Sequence, residues 1–240
     1  MWLVLCEAGD LAALWAARGL AERGLRPVEI FTPEALVFSP RIVHRVTTSS
    51  AVVEITTADG RFLDSSRVAG TLNRIQTLPT SHFRGASLQD RQYAEQELHA
   101  LFLSWMTCLP GRTLNPPSPL GLGGAARHPS EWTWLASQVG LSTSGLVQGE
   151  SFPPPPFAPF SCPGGRSVIV VDGSVIGANV PDTVALACIA LARESRTPLL
   201  GIEFLHPASG EWLFESASPL PDLRRGGHSL LDALAGALQS

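Results

Sequence analysis

The chain opens with an unbroken apolar run, "MWLVLC", of a length that fits a buried strand. Next comes "LAALWAARGLAERG", where Leu11, Leu14, Trp15 and Leu20 recur at helical spacing and Gly24 ends the pattern. "PVEIFT" returns to strand character. Strand, helix and strand joined by short links predict a βαβ unit, and so a parallel α/β start. "VVEIT" alternates and leads through the turn "ADG" into a partner strand. "VAGTLNRI" predicts a further parallel strand. "SLQDRQYAEQELHALFLSWM" predicts a long helix with Ser87 and Asp90 as capping box and Ala94, Leu98, Leu101, Phe102 and Trp105 along one face. "HPSEWTWLASQVG" predicts a second helix, capped by Ser130 and closed by Gly140.

The pattern then breaks. "SFPPPPFAPFSCPGG", Ser151 to Gly165, suits neither helix nor central strand and reads as a semi-rigid linker or surface loop. Beyond it, "SVIVVDGSVIGAN" predicts a hairpin turning at Asp172-Gly173. "DTVALACIALARES" is a helix with Asp182 as N-cap, "LLGIEFLHPASGEWLFES" a second hairpin, and "HSLLDALAGALQS" a closing helix with Ser229 and Asp232 as capping box. The division expected is an α/β domain over residues 1–150, a proline-rich linker over 151–166, and an α+β antiparallel layer over 167–240. In the second hairpin, pairing Leu205 with Glu211 puts Glu203 opposite Leu213 and Gly201 opposite Glu215. Glu203 and Glu215 then share a face as diagonal neighbours, roughly 7 Å apart. Two carboxylates so placed can share a divalent cation through oxygen, or simply be two glutamates on a solvated face.

Composition narrows the chemistry. Every basic residue among the 17 is arginine. Without lysine the chain can form no Schiff base and offers no P-loop ammonium. A net charge of −4 with no basic stripe argues against nucleic acid as partner. The four cysteines lack C-x-x-C spacing and sit mostly in apolar runs, as free thiols in a reducing compartment do. No zinc set is visible, and G-x-G-x-x-G is absent from the first strand–helix loop, "EAGD". The N-terminus has no basic region and is interrupted by Glu7 and Asp10, so it reads as mature sequence. No apolar run reaches the ~20 residues of a membrane span. A cytoplasmic protein, free of membrane, is expected.

Several positions are candidates for ligand or anion binding. Arg74 ends the "TLNR" strand, and Asn115 closes a similar one. The carboxyl ends of parallel strands are where open α/β sheets bind ligands. "LGLGGAAR" offers backbone N–H groups with Arg127 beside them, or is a flexible crossover loop. In "PDLRRGGH", Arg224, Arg225 and His228 precede the last helix, where a carboxylate or phosphate can sit. The six histidines form no catalytic set, and G-x-S-x-G is absent.

Two regions resemble the ATP-grasp superfamily, especially ligases acting on ribosomal peptide precursors. "TLNRIQTLP" with the stretch from "DRQYAEQELHALF" to "EWTWLASQVGL" resembles the pre-ATP-grasp domain. "VDGSVIGAN", "LLGIEF" and "WLFESASPLPDL" resemble the final catalytic sheet. The resemblance implies a Rossmann-like parallel sheet followed by the C-terminal ATP-grasp layer. It also makes Glu203 the first magnesium ligand and Glu215 the second. Departures accompany it: Ala217 stands where the family has an asparagine ligand, the proline-rich segment stands where the family has its central nucleotide-binding subdomain, and Arg127 is the nearest cation to a position that is usually lysine.

The expectation is therefore a degenerate, non-catalytic ATP-grasp-like protein with Glu203 and Glu215 as vestigial metal positions. It would use no cofactor and serve as a partner for a protein or peptide in a peptide- or small-molecule-modifying system. Two alternatives stand beside it. One is an active carboxylate–amine ligase that uses ATP and magnesium at an arginine-based site. The other is a homo-oligomeric assembly protein, with exposed tryptophans among the six as its mark.

Overall fold

The computed structural model describes residues 1–143, 166–205 and 210–240. The proline-rich segment, Cys162 and the "HPAS" stretch of the second hairpin lie outside the described residues. The chain divides into two compact units, Met1–Gly124 with Leu234–Ser240, and Ala125–Ala233.

The first unit opens as the periodicity predicts, with β1 (Trp2–Leu5), α1 (Leu11–Glu22) and β2 (Val28–Phe31). A short helix α2 (Pro33–Val37) follows, capped by the Thr32 hydroxyl with Pro33 at its first turn. Then come β3 (Arg41–Val46), β4 (Ala51–Thr56), β5 (Phe62–Asp64) and β6 (Gly70–Asn73). The helix α3 (Leu88–Thr107) and β7 (Arg112–Leu114) complete it. β2, β1, β6 and β7 lie in that order, all parallel. The chain winds outward from β1 to β2 and returns on the other side to β6, so the topological switch falls between β1 and β6. β3, β4 and β5 form a separate antiparallel sheet.

The core of this unit gathers Leu3, Leu5, Phe31, Ile55, Leu63, Phe102 and Trp105. Only the second half of α3 is fully buried, through Phe102, Trp105 and Met106. Leu98 and Leu101 are half-buried, and the earlier turns stand in solvent. The apolar face predicted for the whole helix is thus confined to its C-terminal turns, where core partners exist. The Ser87 oxygen accepts from the Asp90 amide at 3.2 Å as predicted, while its hydroxyl donates to the Asp90 carboxylate at 2.7 Å.

The second unit contains α4 (Pro129–Gln138), β8 (Ser142–Thr143), β9 (Arg166–Val171), β10 (Ser174–Gly177), α5 (Asp182–Glu194), β11 (Leu199–Leu205) and β12 (Leu213–Ser218). The last helix, α6 (Gly227–Gln239), begins here. The strands run in the order β10-β9-β11-β12-β8. All pairs are antiparallel except β12 with β8, a parallel edge that the sequence did not announce. Asp172 and Gly173, both at positive φ (46° and 88°), make the two-residue turn between β9 and β10. Val168, Val170, Leu200, Ile202, Phe204 and Phe214 pack under Trp132 and Leu191.

Three cap assignments change. The N-cap of α4 is His128 rather than Ser130: its ring Nδ1 accepts from the Ser130 amide, Glu131 accepts from the His128 amide at 2.9 Å, and Pro129 takes the first helical position. Pro181, not Asp182, caps α5, and Asp182 lies inside its first turn, where a carboxylate suits the helix dipole. α6 starts at Gly227, so Ser229 and Asp232 fall inside the helix.

Candidate functional site

β11 is central in its sheet, and period two divides it. Leu200, Ile202 and Phe204 face the core, while Gly201 and Glu203 lie on the opposite face. Across the ladders Glu203 stands opposite Ser167 of β9 and Ser216 of β12.

The expected register is corrected here. Glu203 pairs with Ser216 rather than Leu213, and Gly201 with Ser218 rather than Glu215. Leu205 already pairs with Leu213 rather than Glu211, a shift of two residues, and a bulge adds the third. Phe204 pairs with Phe214 and Glu203 with Ser216, which leaves Glu215 as the extra residue of β12. Both phenylalanines are almost wholly buried, at 0% and 1% exposure, and this fixes their pairing. Single-sequence spacing carries no mark of such a bulge.

Glu215, at the bulge, stays near enough to Glu203 for its charge to act on it. Burial pushes the Glu203 carboxyl above its usual range, and the Glu215 charge pushes the same way; Arg225 and a hydrogen bond from Ser167 pull against them. The Arg225 guanidinium donates to Glu203 Oε1 at 2.9 Å. Beside it, Arg224 makes two 2.8 Å bonds to the Asp222 carboxylate and holds its pKa below the usual carboxylate range. His228 is exposed in the first turn of α6. The sequence candidates Glu203, Glu215, Arg224, Arg225 and His228 thus fall on β11, β12, the segment leading into α6 and the first turn of α6. Sequence reading missed Ser167 and Asp222 among them.

Two carboxylates that repel each other are hard oxygen donors of the type a divalent cation takes, and a cation would relieve that repulsion. By donor chemistry Glu203 and Glu215 fit a magnesium ion. Among the described residues no group of three or more His, Cys, Asp and Glu side chains is arranged to hold a metal, so the pair would supply only part of a coordination shell.

Arg127 lies elsewhere in the same unit. Its guanidinium stacks over the Trp132 ring at 5.8 Å and donates to the Ser195 carbonyl at 3.5 Å. Its Nε is buried with no hydrogen-bond partner.

In the first unit, Arg74 and Asn115 lie at the carboxyl ends of β6 and β7 as expected, and both are buried. Arg74 Nε donates to Asp10 Oδ2 at 2.6 Å, with side-chain exposures of 6% and 14%. Asp10 also caps α1 by accepting from the Ala13 amide at 2.9 Å. One carboxylate therefore ties the loop after β1 to the end of β6 across the switch point. The Asn115 carbonyl accepts from the Asn73 side-chain amide at 2.8 Å, which also donates to the Leu122 carbonyl at 2.6 Å. Asp10 was within reach of sequence reading, since an aspartate directly before a helical run is a cap signal.

Trp134 is the one tryptophan among the large exposed hydrophobics, at 61% exposure, while Trp105 and Trp132 are core. Among the described residues no helix is long and apolar enough to cross a membrane.

No family model matches the chain, and no curated protein does. Solved structures do. The macrocyclase MdnC of Microcystis aeruginosa, bound with the precursor peptide MdnA, superposes with a TM-score of 0.72 at 12% identity, covering 99% of this chain and 98% of that one. The macrocyclase MdnB of the same organism gives 0.70 at 16% identity, with 99% and 98% covered. The ATP-grasp ligase PsnB, complexed with minimal precursor, magnesium and ADP, gives 0.70 at 15% identity, with 100% and 98% covered. The expectation that no cofactor is used is overturned by PsnB, whose structures hold magnesium with ADP and, in another complex, AMPPNP. The missing lysines suggested otherwise, yet guanidinium groups also bind phosphate. Over nearly its whole length this chain has an ATP-grasp-like fold, shared with the macrocyclases MdnC and MdnB and the ligase PsnB.

Proposed function

We propose that this chain works in a peptide-modification system as a binding member, holding a peptide and a magnesium–nucleotide complex without carrying ligation to product by itself. The observation that carries the reading is the pair Glu203 and Glu215, set side by side on β11 and β12 with Arg225 beside them. The likeness to ligases solved with precursor peptides supports the peptide. The likeness to PsnB with magnesium and ADP supports the nucleotide.

Glu203 and Glu215 would supply carboxylate oxygens to the metal, and Ser167 orients Glu203 by its hydrogen bond. Bound there, magnesium would screen and orient the phosphate oxygens of the nucleotide. Arg224 and Arg225 bring the nearest positive charge. The binding-only role rests on the 17 basic residues being arginine throughout. A guanidinium matches phosphate in a planar fork, but it does not replace the compact ammonium of a lysine.

The test is incubation of the purified chain with magnesium–ATP and a pool of synthetic peptides carrying Asp, Glu, Lys, Ser and Thr. Phosphate release and peptide mass are followed. Unchanged peptide masses and background phosphate release are expected. Dehydrated peptides formed with stoichiometric phosphate would overturn the binding-only role. They would establish the second reading, a carboxylate–amine ligase built on arginine, which the closeness of Arg225 to Glu203 favours.

A further inference from the structure

The segment that follows β12 does not simply leave the sheet. It folds back so that Pro221 lies against β11, and the turn that follows is held by contacts of its own. Gly201 lies on the same face as Glu203, and Pro221 sits directly upon it: a Cβ at Gly201 would come within 2.7 Å of Pro221 Cβ. Real Cβ atoms do not approach so closely, so this strand position must lack a side chain for the segment to dock. Asp222 then caps a tight turn over Leu223–Gly226 by accepting from the Arg224 amide at 3.2 Å. It also takes the Arg224 guanidinium. Leu223 is fully buried beneath the turn, and Gly226 lies so close to Leu230 that a Cβ there would meet its Cβ at 2.5 Å. Docked in this way, the turn carries Arg225 to Glu203 Oε1 at 2.9 Å.

We propose that Arg225 is a guard on the metal position: its guanidinium holds Glu203 when no metal is bound, and a divalent cation displaces it. The inference rests on the reading of Glu203 as a metal ligand. The two side chains retain 40% and 20% exposure, so the guanidinium has solvent to swing into when it leaves. A cation and a guanidinium compete for the same oxygen, since both are attracted by the one carboxylate charge. Once displaced, Arg225 would offer its planar fork to the arriving phosphates. The fixed turn matters because it makes the exchange local: Pro221 on Gly201 keeps the guanidinium within reach in both states. Arg225 is on this account a positioning residue that sets the metal affinity of Glu203.

The experiment is titration of the full chain with Mn2+ alone, with free ion followed by electron paramagnetic resonance. Wild type is compared with Arg225→Ala, Arg225→Lys, Gly201→Ala and Glu203→Gln, each checked by its melting curve. Loss of a partly exposed ion pair that opposes binding tightens Mn2+ by about fivefold in Arg225→Ala. Arg225→Lys, which keeps a cation but not the fork, falls between that variant and wild type. Gly201→Ala, which lifts the turn without touching a charge, also tightens binding, and Glu203→Gln weakens it. Equal Mn2+ affinity in wild type and Arg225→Ala, both folded, overturns the guard and leaves the metal reading standing. Absence of Mn2+ binding from wild type and Arg225→Ala alike brings down the metal reading itself, and the guard with it.

Discussion

Asp10 offers the sharpest test of how the first unit is held together. Its carboxylate does two things at once: it caps α1 through the Ala13 amide at 2.9 Å and pairs with Arg74 at 2.6 Å. With side-chain exposures of 6% and 14%, this is a buried pair. Removing one partner of such a pair costs about 3–5 kcal/mol, because a desolvated charge is left behind. Arg74 takes part in further interactions, which places Asp10→Asn near the lower end, about 3 kcal/mol. Asparagine remains a good cap, so Asp10→Ala should cost about 1 kcal/mol more. Replacing both members, as Asp10→Asn with Arg74→Met, leaves no unpaired charge and should be less damaging than the sum of the single changes. Urea denaturation followed by circular dichroism supplies the four free energies of the cycle. If Asp10→Asn costs under about 1 kcal/mol, or the cycle is additive within about 0.5 kcal/mol, the pair is not the tie described here.

Glu7 has an oxygen buried without a hydrogen-bond partner, and its pKa is raised, first by burial and then by the Glu34 charge, above the ordinary 4.5. Backbone hydrogen bonds from Thr77 and Gln76 lower it in part, and Asp10 adds a smaller upward push. A raised carboxyl means that the folded state binds more protons than the unfolded one, so this group's contribution weakens as pH climbs from about 4.5 through the folded value. Relative to wild type, Glu7→Gln should therefore gain stability as pH rises from 4 to 7, read from urea midpoints; a difference that stays flat or falls speaks against the burial argument. Burial pushes the thiols of Cys6 and Cys188 up to about 11 and about 12. Neither should react with a thiol reagent at pH 8 in the native protein, and rapid labelling of both, located by peptide mapping, would contradict their placement.

The strand–helix–strand opening, the parallel β6, the Asp172-Gly173 turn and the helices were legible because each is written in local periodicity and turn chemistry. Less legible were features decided by partners distant in sequence. The buried length of α3 depends on which turns meet the core. The cap of α4 passed to His128 because Pro129 and Glu131 cooperate with it. β8 is only two residues long and exists through its pairing with β12. At the candidate site Glu203 and Glu215 could be named as neighbours from their pattern, but their register could not: Phe204 pairs with Phe214, and the bulge beyond that pair sets Ser216 rather than Glu215 opposite Glu203. Likewise the run Arg224-Arg225 reads as free positive charge in sequence. Folding gives one guanidinium to Asp222 and the other to Glu203.

The proposed role requires a magnesium–nucleotide complex bound at Glu203 and Glu215. The most direct measurement is thermal melting of the purified chain with ATP, with and without magnesium, alongside Glu203→Gln and Glu215→Gln. A ligand that binds only the folded state at ~100 times its dissociation constant stabilises it by about 2.7 kcal/mol, a shift of several degrees. Wild type should be stabilised only when ATP and magnesium are both present, and neither glutamine variant should be stabilised by them. Identical melting curves for wild type with and without millimolar magnesium–ATP would contradict it.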